Sequence, residues 1–150
     1  MTSISIIIPT FNESKTIIEI LKKVNTQNIP DIDFEIIVVD DGSRDDSLEL
    51  LRRNPSLYTH LIALDLNGGK GAAVISGLNK ASGEYILFQD ADLEYDPEDY
   101  KKLIKPISLF GADIVMGSRL VSPPITRVSY FWHRFGNKVI TLFFNLLNNT

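Results

Sequence analysis

An α/β fold, with a mostly parallel sheet covered by helices on both faces, is what this sequence predicts from three observations. Five short apolar runs recur, at residues 4–8, 34–39, 61–66, 85–88 and 113–116. They are rich in Ile and Val and continuous rather than alternating, the pattern of strands buried on both faces. Segments of helical periodicity lie between them, at about 13–27, 44–53, 70–81 and 97–109. Strand alternating with helix implies right-handed crossovers and therefore parallel pairing.

Taken in order, the first run starts within three residues of Met1, without the basic region and small-residue cleavage site of a signal peptide. After the second run, Ser43-Arg44-Asp45-Asp46 reads as an N-cap with an acid at the third helical position, a variant of the capping box. Asn67-Gly68-Gly69-Lys70-Gly71 opens the third helix. Asp96-Pro97-Glu98-Asp99 supplies an N-cap, a first-turn proline and acids at the positive end of the fourth. A last helix is expected over about 128–147, bent near Gly136. No repeat or linker marks a boundary, so residues 1–150 are expected to form a single domain, with about 121–150 as its terminal helical part.

Bulk composition narrows the class of protein. At 44% hydrophobic and 23% charged residues, disorder and low complexity are excluded. With no cysteine, disulfides, thiolate metal sites and cysteine nucleophiles are excluded too, which fits a reducing compartment. No stretch approaches the roughly 20 apolar residues that span a bilayer. The longest, residues 139–147, is broken by Thr141 and Asn145. The net charge of −4 hides an asymmetry: residues 1–113 hold all 19 acids, whereas 114–150 hold four bases and no acid. An acid-free tail with aromatics between Arg119, Arg127, Arg134 and Lys138 suggests an anionic partner, phosphate or membrane surface; ordinary charge clustering is the alternative. No nucleic acid is expected as a partner.

In an open parallel sheet, ligands bind beyond the carboxyl ends of the strands, where strand order reverses. Those ends carry Pro9-Thr10-Phe11-Asn12-Glu13, Asp40-Asp41-Gly42-Ser43, Asp65 with Asn67, Asp90-Ala91-Asp92 and Gly117-Ser118-Arg119. Two like charges about 4 Å apart repel by roughly 4 kcal/mol at an effective dielectric near 20, so converging carboxylates call for a cation, a proton or a basic partner. Singly, several have structural explanations. Asp41 fits a turn or helix cap as well as a ligand site, and Asp40 is better placed for a nucleobase or ribose. Glu13 suits the first turn of its helix. Asp65 fits a solvated strand end, and His60 and His133 lack metal-ligand spacing. Asp90 and Asp92 flank one small residue where a buried strand surfaces, and two such carboxylates plus substrate phosphates are a usual set for Mg²⁺. The glycine-rich 67–71 segment could offer backbone N–H groups and Lys70 to phosphate, but it is not a P-loop, having Leu64 and Gly71 at required Gly and Ser/Thr positions.

These segments, in this order and spacing, resemble glycosyltransferase family 2, which has the Rossmann-like GT-A fold. The matching pieces are 8–13, 38–43, 67–73, 90–98 and 117–119. The long form of the 90–98 motif is most similar to the branch that includes dolichol-phosphate mannose synthase and bacterial polyprenyl-phosphate glycosyltransferases. The resemblance implies that Pro9, Phe11 and Glu13 line a nucleotide pocket and that Asp40 meets the base or ribose. It implies Mg²⁺ or Mn²⁺ on Asp90 and Asp92, with Ala91 between them and Glu94 a further ligand. Arg119 would approach the donor phosphates, and Arg134 the phosphate of a lipid acceptor, which would put the helix of about 121–150 on the acceptor or membrane side. Phe11 stands where many relatives have tyrosine, and Glu94 where mannose synthases often have glutamine. Relatives continue for many tens of residues, so the chain is expected to be an N-terminal fragment that binds donor and is inactive alone.

The implied reaction is inverting transfer of a sugar from a UDP- or GDP-sugar to an acceptor, with polyprenyl phosphate favoured and a saccharide or protein hydroxyl as the alternative. The tail aromatics Phe131, Trp132, Phe135, Phe143 and Phe144 would lie in a membrane interface or pack in a core, giving a peripheral protein at the cytoplasmic face. A nucleotidyltransferase would want a Gly-rich, Arg-containing loop after the first strand. A phosphatase of the haloacid dehalogenase type would carry its paired aspartates on that strand. Neither pattern is present. A non-catalytic nucleotide-sugar-binding domain remains compatible with the sequence.

Overall fold

The computed structural model of the chain describes residues 1–117, of which Met1–Val115 form one compact unit. Its centre is a four-stranded sheet of β1 (Thr2–Thr10), β2 (Ile32–Asp40), β3 (His60–Ala63) and β4 (Tyr85–Phe88). The strand order is β3-β2-β1-β4, and every pairing is parallel, with Ile6 opposite Ile36 on one side and Leu87 on the other. The helices are α1 (Ile17–Asn25), α2 (Ser47–Arg53), α3 (Lys70–Lys80) and α4 (Tyr100–Phe110).

Strand alternation divides the core into two layers. Ile4, Ile6 and Ile8 of β1 pack with Ile17, Ile20, Leu21 and Val24 of α1, Leu51 of α2, and Tyr100 and Ile104 of α4. The four α1 residues fall at helical spacing and are all buried, which is why that segment is a helix. On the opposite face Ile37 and Val39 pack with Ala73 of α3. There α3 approaches closely at Gly77, where an added Cβ would stand 2.5 Å from Cγ2 of Ile7. Helices therefore lie on both faces, and the continuous apolar runs of β1 and β2 follow from that, whereas Ile86 and Phe88 of β4 remain exposed. At the other end of the sheet, Ser5 Oγ donates to Glu35 at 2.5 Å and accepts from the Gly83 N–H at 2.8 Å, fastening the turn into β4.

Three expectations change. The fifth strand, residues 113–116, is not a strand: Ile114 is 82% and Met116 87% exposed, and no described strand pairs with the segment. So short an apolar run is not stable without a partner ladder. Helix α2 begins at Ser47 after Asp46, not after Ser43, and the Asp46 side chain does not cap it. Ser43 instead accepts from the Asn12 N–H, so a neighbouring loop has captured the capping hydroxyl. The third strand ends at Ala63, leaving Asp65 exposed beyond it, the solvated strand end that its sequence suggested. Asp96, by contrast, accepts from the Glu98 N–H at 3.1 Å over a 3-10 turn, Pro97–Asp99, that leads into α4. The expected helix at 128–147 lies outside the described residues.

Candidate functional site

Strand order puts the switch point between β1 and β4, because the chain leaves β1 toward β2 and returns to pair β4 on its other edge. The loops after these two strands diverge and open a crevice between them. Neighbouring loops are bonded into one rim. Asn12, at φ 56, presents Oδ1 to the Arg44 N–H at 2.8 Å, while the Glu13 N–H donates to Ser47 Oγ at 2.8 Å. Asp45 closes the same seam, accepting from the Ser14 N–H at 3.1 Å and from both the N–H and the hydroxyl of Ser47. Burial alone would raise the Asp45 carboxyl, but hydrogen bonds from Ser47 and Ser14 outweigh it and hold the group at about 2. Gly42, at φ 66, lets the β2–α2 loop press on the next one, since a Cβ there would lie 2.9 Å from the Asn67 nitrogen. Asp41 Oδ1 then accepts from the Gly68 N–H at 2.9 Å.

The rim encloses a cleft of about 410 Å³. Of the residues singled out in the sequence, Pro9, Phe11, Glu13, Lys70, Asp90, Ala91 and Asp92 line it. Phe11 is 40% exposed and offers a ring face, and Glu13 Oε2 accepts from the Thr16 hydroxyl at 2.7 Å. Lys70 opens α3, whose first N–H groups have no partner within the helix, and its Nζ lies 2.5 Å from Asp90 Oδ1. Glu13, Asp41, Asp90 and Asp92 thus surround the cleft, and Lys70, paired with Asp90, is the cation in its lining among the described residues. A second hollow of about 340 Å³ continues past Lys70 and Asp90 to Val74, Phe88 and Tyr95.

Other expected residues stand elsewhere. Asp40 does not line the cleft: it is fully buried, with Oδ2 accepting from the Ser43 N–H at 3.1 Å and Oδ1 without a hydrogen-bond partner. Asp41, equally suited to a turn on sequence, is the one in the cleft wall. Glu94 is exposed, and its N–H, not its carboxylate, meets Asp92, donating to Oδ1 at 3.0 Å. No group of three potential metal ligands occurs among the described residues, so Asp90 and Asp92 stand as a pair. His60 sits 3.4 Å from Glu35, outside the cleft lining. Arg119 and Arg134 lie outside the described residues. Sequence reasoning passed over Gln89, a polar side chain closing an apolar strand, which is only 1% exposed.

The chain matches the family described as Glycosyl transferase family 2 over residues 5–147. It is 34% identical over 143 residues to the undecaprenyl-phosphate 4-deoxy-4-formamido-L-arabinose transferase of Pseudomonas syringae pv. syringae, covering 93% of this chain and 41% of that protein. It is 38% identical over 119 residues to the dolichol-phosphate mannosyltransferase of Pyrococcus furiosus, covering 79% and 33%. The chain therefore spans well under half the length of these curated relatives. The mannosyltransferase of Pyrobaculum calidifontis, solved in complex with GDP-Man and Mn²⁺, superposes with a TM-score of 0.62 at 30% identity, over 70% of this chain and 32% of that one.

Proposed function

The chain belongs to glycosyl transferase family 2, with its GT-A fold, and on that premise we propose that it carries the donor site of a transferase moving a sugar from a UDP- or GDP-sugar to polyprenyl phosphate. What supports this reading is one observation above all: Asp90, Asp92 and Lys70 share a cleft at the switch point with Phe11, Glu13 and Asp41. The names of the relatives supply the acceptor class.

In this reading the Phe11 ring takes the face of the base or ribose, with Pro9 beside it. Asp41, which lines the cleft wall at 2% exposure where Asp40 does not line it, is assigned to the nucleoside side. Asp90 and Asp92 are hard oxygen donors one residue apart, a fit for a Mg²⁺ or Mn²⁺ ion that also takes diphosphate oxygens. Bound there, the ion would supply Lewis-acid stabilisation of charge on the leaving diphosphate. Lys70 and the start of α3 present N–H donors and a positive charge to the same phosphates. The bond from the sugar's anomeric carbon to the diphosphate breaks as an acceptor phosphate oxygen bonds that carbon from the opposite face. That oxygen is already anionic, so the site positions the acceptor and need not deprotonate it. Arg119 is assigned to the donor phosphates and Arg134 to the acceptor phosphate.

The acid-free 114–150 segment, with its four bases, supports a peripheral position at the cytoplasmic face of a membrane, where anionic headgroups attract Lys and Arg. No helix among the described residues is long and apolar enough to cross a membrane. The test is transfer itself. The full-length protein, Mn²⁺ and a panel of UDP- and GDP-sugars are incubated with undecaprenyl or dolichyl phosphate, and the lipid is extracted. Sugar in the lipid phase from one donor family is the expected outcome; sugar only on soluble saccharide or protein would reject the acceptor assignment.

A further inference from the structure

Gln89 closes β4 with a buried carboxamide where an apolar side chain would avoid the cost of desolvating an amide. Its N–H donates to the Ile7 carbonyl at 3.0 Å, continuing the β1 ladder, so its backbone belongs to the rigid sheet. Its side chain belongs to the loop. Nε2 donates to the Asp90 carbonyl at 3.0 Å and to the Tyr95 carbonyl at 3.1 Å, and Oε1 accepts from the Tyr100 hydroxyl at 2.8 Å. Two carbonyls demand donors, which fixes the orientation of the amide. Tyr100 is itself buried as the first residue of α4, its ring packed at 6.1 Å between centroids from Phe34 of β2.

One amide thus ties both ends of the 90–95 segment to the sheet and to the helix that follows. Between those ends Leu93 is held at φ 64, a conformation unfavourable for a branched side chain and sustained only by its surroundings. The same turn lets the Glu94 N–H bond Asp92 Oδ1, which directs the Asp92 carboxylate. Asp90 and Asp92 each touch the cleft, so their relative placement depends on the turn, and the turn depends on the clamp.

We infer that Gln89, braced by Tyr100, is a positioning residue that holds the Asp90–Asp92 pair at the spacing a divalent cation and a nucleoside diphosphate require. The inference rests on the donor-site reading above. Outer-shell groups of this kind typically contribute about 10–100-fold to metal affinity. Gln89→Met keeps similar volume and removes both donors; Tyr100→Phe removes one hydroxyl from the brace and leaves the ring packing.

Calorimetric titration of UDP and GDP into the full chain, with Mn²⁺ or with EDTA, separates the metal-dependent part of affinity from the rest. In Gln89→Met the affinity in EDTA should match wild type, while the gain from Mn²⁺ should fall about 10–100-fold. Tyr100→Phe should show a smaller loss in the same direction, and it decides the matter alone if Gln89→Met does not fold. A full Mn²⁺ gain in either folded variant overturns the positioning role. Loss of nucleotide affinity in EDTA as large as that in Mn²⁺ overturns it too, because the clamp would then serve general folding. If wild type gains nothing from Mn²⁺, or Asp92→Asn keeps the gain, the metal reading falls and this inference with it.

Discussion

Asp45 shows how one side chain can brace a cleft without lining it. Its carboxylate joins the loop after β1 to the start of α2 through Ser14 and Ser47, and these bonds hold it at about 2, below the ordinary 3.8. A depressed carboxyl contributes stability that is complete above the unfolded value and is lost as pH falls through the folded one. The Asp45 contribution is therefore present above 3.8 and disappears on going down toward 2. Chemical denaturation of wild type and Asp45→Asn should differ near neutrality and converge at low pH. Since Asp45 is exposed, screening keeps that difference under about 1 kcal/mol. A gap that widens with acid would contradict the assignment. At this scale the sequence was only partly legible. Asp40 and Asp41 are adjacent and chemically identical, and what separates them is that Asp40 still pairs with Thr10 in the ladder while Asp41 is the first residue beyond it. Strand ends of that kind depend on the neighbouring strand, which local pattern does not encode.

Among the elements, α3 bears most directly on the cleft, because its first turn supplies Lys70 and its middle rests on β1 at Gly77. Gly77→Ala gains helix propensity of up to about 1 kcal/mol. It also drives a methyl into Ile7, and overpacking of this kind typically costs 1–3 kcal/mol by rough estimate. We expect a net loss of stability in urea denaturation, reversed when Ile7→Ala provides room. Destabilisation that persists unchanged in the Ile7→Ala background would place the cause elsewhere. Four strands and four helices are readable from apolar runs and helical spacing, most clearly in β1, β2 and α1, where the buried residues run continuously or fall on one helical stripe. The segment at 113–116 read as a strand on composition alone, and it has no described partner to make it one. The capping pattern at Ser43 misplaces the start of α2 because Ser43 satisfies the β1–α1 loop instead of its own helix, a tertiary choice that local pattern does not record.

For the whole molecule, strand order creates the site: β4 returns beside β1, and the Asp90–Asp92 loop comes to face the Phe11–Glu13 loop across one crevice. The sequence supplied the members of that crevice, since strand ends bearing carboxylates are visible as pattern. It did not supply the exclusion of Glu94 and Asp40 or the clamp by Gln89, which depend on where side chains turn after the fold closes. This crevice is expected to bind a nucleoside diphosphate through a cation on Asp90 and Asp92. Ligand at 100 times its dissociation constant stabilises the folded state by about 2.7 kcal/mol, enough to read as a melting shift. The most direct measurement is a melting-temperature panel of UDP, GDP, UDP-sugars and GDP-mannose, each with and without Mn²⁺, on wild type and Asp92→Ala. We expect stabilisation by one diphosphate family that requires Mn²⁺ and vanishes in Asp92→Ala; a shift independent of the metal, or unchanged by that substitution, would contradict the claim.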